Sequence, residues 1–302
     1  MSDGVVVEVP FEGALDMRRT LDVGLGPTDP TMRLLPDGSV AWSMRTPSGP
    51  ATVHAAIVTD PCHVRLEAWG PGAQTAVARA PDMLGLDDDP LSFRPADPRL
   101  RGLVRRFHGL RVSRGRNVSD LLVPTILAQR VTFKEASMAY RALVRRFGGE
   151  SPGPMQLPLP PDPAQLGRLT QWQWREIMVD QDRARTLVDV GRRAERYDRL
   201  GELPAQEAYE RLLAVRGIGP WTANIVLAYS HGWEDAVPTG DVHLPHAVTY
   251  LLAGEERGSD ERMLELLEPY RPRRWRAVRL IMSGASRAPR RGRRRGVPKH
   301  RR

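Results

Sequence analysis

The chain has 302 residues, enough for two domains and a sizeable buried core, and no run of 18 apolar residues that would form a membrane span. A single cysteine, Cys62, excludes an intrachain disulfide, a four-cysteine zinc site and a four-cysteine iron–sulfur cluster; burial in a strand is expected for it. The net charge of +9 is uneven: residues 287–302 hold nine Arg or Lys and no acid, leaving 36 basic and 36 acidic residues over 1–286.

The N-terminus, MSDGVVVEVP, lacks a basic-then-apolar leader pattern, so a cytoplasmic protein is expected. Residues 1–85 read as an α+β domain. Val5–Val9, Val40–Thr46, Ala51–Val58 and His63–Trp69 are β-rich runs separated by Pro-Asp-Gly and Ser-Gly-Pro turns, with short helices expected over Glu12–Arg19 and Ala73–Ala80. Residues 86–99 are polar and proline-broken, and are the expected linker. A helical body is expected over 100–286. Its helices are Leu100–Phe107, Asp120–Gln129, Phe133–Phe147, Trp172–Met178, Asp182–Tyr197, Leu244–Ala253, Ser259–Glu268 and Pro272–Gly284, with six prolines keeping 152–163 extended. The arginine-rich end, 287–302, reads as a disordered basic tail that binds phosphate in a salt-dependent way, or as a solubilising end with no other role.

The chain is organised around Leu212–His246. An amphipathic run, Ala205–Val215, breaks at Arg216-Gly217-Ile218-Gly219; Pro220 then stands where proline opens a helix, and Trp221–Tyr229 follows. Two helices joined through Gly-Ile-Gly form a helix-hairpin-helix. Its glycines permit positive φ and close backbone approach, so amides at the start of the second helix, beside Arg216 and Thr222, can face a phosphate. Some twenty residues on, Val-Pro-Thr-Gly-Asp241-Val-His places a lone acid in a turn.

Hairpin, spacer and Asp241 together resemble the helix-hairpin-helix DNA glycosylase superfamily, and within it the AlkA-type 3-methyladenine DNA glycosylases. The resemblance implies an antiparallel N-terminal sheet, a helical catalytic body, and excision of a damaged, flipped base from double-stranded DNA by an enzyme acting as a monomer. Asp241 matches the catalytic aspartate; its alternative reading is a helix cap, disfavoured because a helix capped there puts Pro245 at its fourth position. Trp221 stands where strand-cutting relatives carry lysine, which implies a monofunctional hydrolase leaving an abasic site. Its ring suits stacking on a cationic base, or else belongs to the core. Gln129-Arg130 falls at the duplex-wedge turn, with Arg130 in place of an apolar wedge, or as a plain surface arginine.

No side-chain metal site or cofactor is expected: His243 and His246 have no third ligand and read as phosphate contacts or helix-start residues. The family's hairpins imply a monovalent cation on the backbone carbonyls of Val215 and Gly217. Trp275-Arg276 resembles the start of the last body helix, yet the family's pocket aromatic falls near Ser283-Gly284, where there is none. Trp172 and Trp174 read as core or surface residues, or else as rings that take the place of the missing pocket aromatic. Two other functions remain open on the residues: a glycosylase for another lesion, and a non-catalytic damage-binding protein. A nucleoid-associated location accompanies all three.

Overall fold

The computed structural model describes residues 4–24 and 28–284. The basic stretch 287–302 lies outside the described residues.

The first part of the chain is an antiparallel sheet covered by helices. Strands β1 (Val5–Pro10), β2 (Met32–Leu34), β3 (Val40–Thr46), β4 (Gly49–Thr59) and β5 (Cys62–Trp69) lie in the order β1-β5-β4-β3-β2, every neighbour antiparallel. Residues of β4 and β5 alternate between the two faces, so Val53, Ala55, Val64, Leu66 and Ala68 are buried. Helix α1 (Met17–Leu21) is shorter and later than Glu12–Arg19: the backbone of Gly13 is left-handed, and the Asp16 side chain caps the helix through the N–H of Arg19. Helix α2 (Ala73–Leu84) lays Ala76, Val77, Ala80 and Met83 on the sheet and ends in left-handed Gly85, where a Cβ would stand 2.5 Å from the Val112 carbonyl. Cys62 opens β5 but is exposed, so the expected burial is wrong: it occupies the turn end of the strand rather than its covered middle.

The helical body follows. Its elements are α3 (Pro98–Arg106), α4 (Val118–Leu127), α5 (Phe133–Phe147), α6 (Pro163–Leu166), α7 (Gln171–Glu176), α8 (Gln181–Arg192), α9 (Ala194–Asp198), α10 (Ala205–Leu213), α11 (Pro220–Ser230), α12 (Leu244–Ala253), α13 (Asp260–Leu267) and α14 (Arg274–Gly284). Helix α4 is buried along its whole length and packs against α11, α8, α9 and α5. Seven of its ten residues are apolar and buried, as suits a central helix, the exceptions being Ser119, Asp120 and Thr125. The expected helix Asp182–Tyr197 is two helices, broken at Arg193, whose φ of −126° leaves the helical region. The prolines of 152–163 do hold an extended segment, with one isolated bridge between Glu150 and Pro158, and Pro163 opens α6.

Sheet and helical body have separate hydrophobic clusters. Buried arginines tie them together. The Arg111 guanidinium donates to the carbonyls of Glu12, Ala14, Gly85, Leu86 and Asp88. Arg276 of α14 pairs with Asp88. The stretch 86–99 is fastened to both layers, and it contains the first residues of α3 and a 3₁₀ turn at Pro90–Ser92. No helix among the described residues is long and apolar enough to cross a membrane.

Candidate active site

The turn between α10 and α11 is built by two glycines with different tasks. Gly217 has φ +91°, and a Cβ there would stand 2.2 Å from Thr186 Oγ1 on α8. Gly219 is extended (φ −102°, ψ −178°), with open space where a Cβ would go. Only the first needs glycine for its own conformation; the second leaves the backbone bare toward solvent. Ile218 is buried between them and fixes the turn to the core. Pro220 is the first residue of α11, so the Trp221 and Thr222 N–H groups have no partner within the helix, and Arg216 in the preceding turn is exposed.

A second turn, after α4, is fastened to the first. The Gln129 side-chain amide donates to the Gly217 carbonyl and to Thr222 Oγ1, both at 2.9 Å. Arg183, buried on α8, donates to the Leu127 carbonyl at the end of α4 (2.6 Å). Arg130 then takes the left-handed conformation (φ +56°), which is uncommon for a residue with a Cβ, and its side chain is exposed. Thr132 begins α5 with a capping box closed by Glu135, which stops the turn after three residues.

Asp241 lies in the loop between α11 and α12 and faces back onto α11. Its Oδ1 accepts the N–H groups of His243 (2.7 Å) and Leu244 (2.8 Å), and its Oδ2 accepts Trp221 Nε1–H (2.9 Å). Sequence reasoning set capping against a functional role, and that opposition does not hold. Helix α12 starts at Leu244, so Pro245 is its second residue, where a missing N–H does no harm, and one oxygen of Asp241 caps the helix entrance while the other points to Trp221. The loop itself is held by Asn224 on the buried face of α11, whose side chain donates to the Pro220 carbonyl (2.9 Å) and accepts the Val237 N–H (3.0 Å). Asp260 accepts the Gly240 N–H at 2.7 Å. Sequence reasoning missed Asn224, Asp260 and Arg183. Asn224 had a signal, as the lone amide on the buried side of an apolar helix.

Of the other sequence candidates, Trp221 is half-buried with its indole edge on Asp241. His246 accepts the Gly258 N–H, and His243 is exposed at the start of α12. Trp275 is the second residue of α14 and meets the Tyr229 ring edge-on at 5.7 Å. Ser283 is exposed, and a Cβ on Gly284 would stand 2.4 Å from Leu103 and 2.7 Å from Phe107, so that position faces α3. Trp174 is core; Trp172 is exposed. Lys134, near the start of α5, is the only lysine among the described residues.

The site can thus present the free amides of a helix start, an arginine-tipped turn and one carboxylate whose orientation is fixed by three donors. Three of its roughly four lone-pair positions are used, which leaves acceptor capacity on Oδ2 for one incoming group.

No family model matches the chain. It is similar to a DNA-3-methyladenine glycosylase of Bacillus subtilis, 28% identical over 195 residues, covering 62% of this chain and 64% of that protein. It is also similar to a Mycobacterium tuberculosis protein named "probable bifunctional transcriptional activator/DNA repair enzyme AlkA", 31% identical over 222 residues, covering 69% of this chain and 43% of that one. The match therefore spans less than two thirds of either relative. Among solved structures, the 3-methyladenine DNA glycosylase of Archaeoglobus fulgidus superposes with a TM-score of 0.79 at 22% identity, over 91% of this chain and 97% of its own. The Clostridium acetobutylicum 8-oxoguanine glycosylase/lyase in complex with double-stranded DNA gives 0.69 at 16% identity, over 94% and 95%. At these identities the structural likeness is one of fold.

Proposed function

We propose that the chain is a monofunctional DNA glycosylase of the helix-hairpin-helix superfamily, on its AlkA-type branch, a reading supported by its likeness to the 3-methyladenine glycosylases. It removes a damaged base, an alkylated purine in this reading, from double-stranded DNA and leaves an abasic site. The observation that carries the proposal is the Asp241 carboxylate, held by two backbone amides and the Trp221 indole beside a bare hairpin turn.

The chemistry follows from that placement. The target nucleotide leaves the stack, and Arg130, on a turn braced by Gln129, enters the space it vacates. The amides near Gly219 and the Arg216 guanidinium hold the backbone phosphate next to the target. Thr222 and Ile218 act only through the turn: the first receives Gln129 and the second anchors the hairpin. As the bond from C1′ to the base nitrogen breaks, positive charge grows on the sugar, and the Asp241 carboxylate stabilises it and orients the attacking water. The water oxygen bonds to C1′, its proton passes to Asp241 or solvent, and a cationic alkylpurine departs neutral. One carboxylate suffices because such a base needs no general acid. Trp221 offers no amine, so no Schiff base forms and the strand stays intact; its ring face is the stacking surface for the flipped base.

The carbonyls of Val215 and Gly217 each accept one hydrogen bond already, from Ile218 N–H and the Gln129 amide, and each keeps a lone pair. They fit a monovalent cation, which when bound adds positive charge beside the phosphate. Residues 1–85 support the body formed by 100–286, the enzyme acts as a monomer near the nucleoid, and the basic residues of 287–302 add phosphate contacts.

The test is excision from duplex oligonucleotides, each with one defined lesion, followed by alkaline cleavage, with a parallel borohydride reaction. Release of an alkylpurine without a trapped protein–DNA adduct is expected. Failure on every alkylpurine, or a trapped adduct, contradicts the proposal.

A further inference from the structure

Beside the hairpin, a groove of about 1170 Å³ runs between α8, α9, the following 3₁₀ turn and α10. Seven arginines line it against three carboxylates. That excess is not a matter of overall composition, since residues 1–286 carry as many acids as bases. Arg130, Arg196, Arg199 and Arg216 have no side-chain hydrogen bond or ion pair with any described residue, and all four are exposed. Arg185 and Arg211 pair with Asp182 and Glu207 on their own helices through exposed contacts that a phosphate can replace at little cost, and exposed Arg193, at the break after α8, pairs with the partly buried Asp189. The hairpin's own Arg216 and Gly217 form one rim of the groove, so a strand held at the turn continues into it.

We infer that this arginine groove is a second DNA-binding surface, a track for the phosphate backbone of duplex flanking the lesion; the inference rests on the glycosylase reading of the neighbouring turn. Unpaired guanidiniums spaced along a groove suit phosphates in series, whereas an isolated anion site would bring them together on one point. Beyond Arg130 and Arg216, which already serve the lesion site, the groove holds no lesion-reading chemistry. It gives affinity that depends on salt and on flank length, not on sequence.

The test uses the full chain and an undamaged fluorescent duplex long enough to run past the hairpin, with affinity measured over a series of salt concentrations. The pair Arg196→Ala/Arg199→Ala removes two contacts and is expected to reduce the slope of log K against log salt by about 2, while Arg141→Ala/Arg145→Ala on α5 leaves it unchanged. Both pairs are exposed, and melting curves confirm that the variants fold. An unchanged slope for the groove pair overturns the inference, as does an equal fall for the α5 pair. Wild type that binds with the expected slope but excises no lesion sinks the glycosylase reading and leaves the groove standing; wild type that binds no duplex sinks the groove.

Discussion

Trp221→Phe separates two tasks that one side chain combines. Phenylalanine keeps an aromatic face and removes only the N–H that reaches Asp241 Oδ2 at 2.9 Å. Asp241 would retain the His243 and Leu244 amides on Oδ1, so the carboxylate stays in place but loses the bond that fixes its second oxygen. A hydrogen bond to a charged acceptor is worth roughly 1.5–3 kcal/mol, and if that is expressed in the transition state the rate falls roughly 10- to 100-fold. The assay is single-turnover excision at saturating enzyme, which isolates the chemical step, with binding to an abasic duplex measured in parallel. A slower step with unchanged binding is expected. A wild-type rate in Trp221→Phe refutes the reasoning, because it means the two amides alone orient Asp241 and Trp221 serves only through its ring.

Gln129→Ala removes both bonds that fasten the α4 turn to the hairpin, and about 1 kcal/mol for each predicts a loss of about 2 kcal/mol, read as a Tm lower by several degrees. Weaker binding to abasic duplex accompanies it; a variant with wild-type melting and binding shows that the two turns hold independently. Burial and the nearby Asp198 carboxylate push Asp120 up to about 6 from its ordinary 3.8, so the folded state binds its proton more tightly than the unfolded state. Stability from this group is full below about pH 4 and is lost as pH rises through about 6. Asp120→Asn, which can keep the Asn117 contact through its oxygen, should abolish that slope and be more stable at pH 7.5 by at most about 3 kcal/mol. Denaturant melts of both proteins across pH 4–7.5 check it, and parallel pH profiles contradict it.

The hairpin was readable because its signals are local. A Gly-Ile-Gly-Pro run permits few backbone paths, and Phe133–Phe147 and Leu244–Ala253 announce themselves by periodicity and end signals. The three-residue β2 is too short for any periodicity, and Arg193 carries no residue-type mark of a helix break. At the site, residue identities were legible and their relations were not. Nothing local says that the Trp221 indole reaches across 20 positions to Asp241, or that Gln129 bridges 88 positions to Gly217. The same holds for Asn224 and Arg183, whose work is done through contacts with distant backbone. The groove arginines were invisible as a set, since they are scattered over three helices, a 3₁₀ turn and the loops between, from Arg130 to Arg216, with acids in between.

The central claim is that Asp241 supplies the charge that breaks the glycosidic bond, and Asp241→Asn measures it. Asparagine has one acceptor oxygen, so it keeps the two amides and gives up the indole; above all it removes the negative charge. At about 4 Å and an effective dielectric constant of about 20, that charge is worth about 4 kcal/mol to a developing cation, roughly a thousandfold in rate. Single-turnover release of an alkylpurine from one defined duplex, wild type beside Asp241→Asn, is the measurement. A loss of a hundredfold or more with binding to abasic duplex retained is the predicted result; equal rates in the two proteins contradict it.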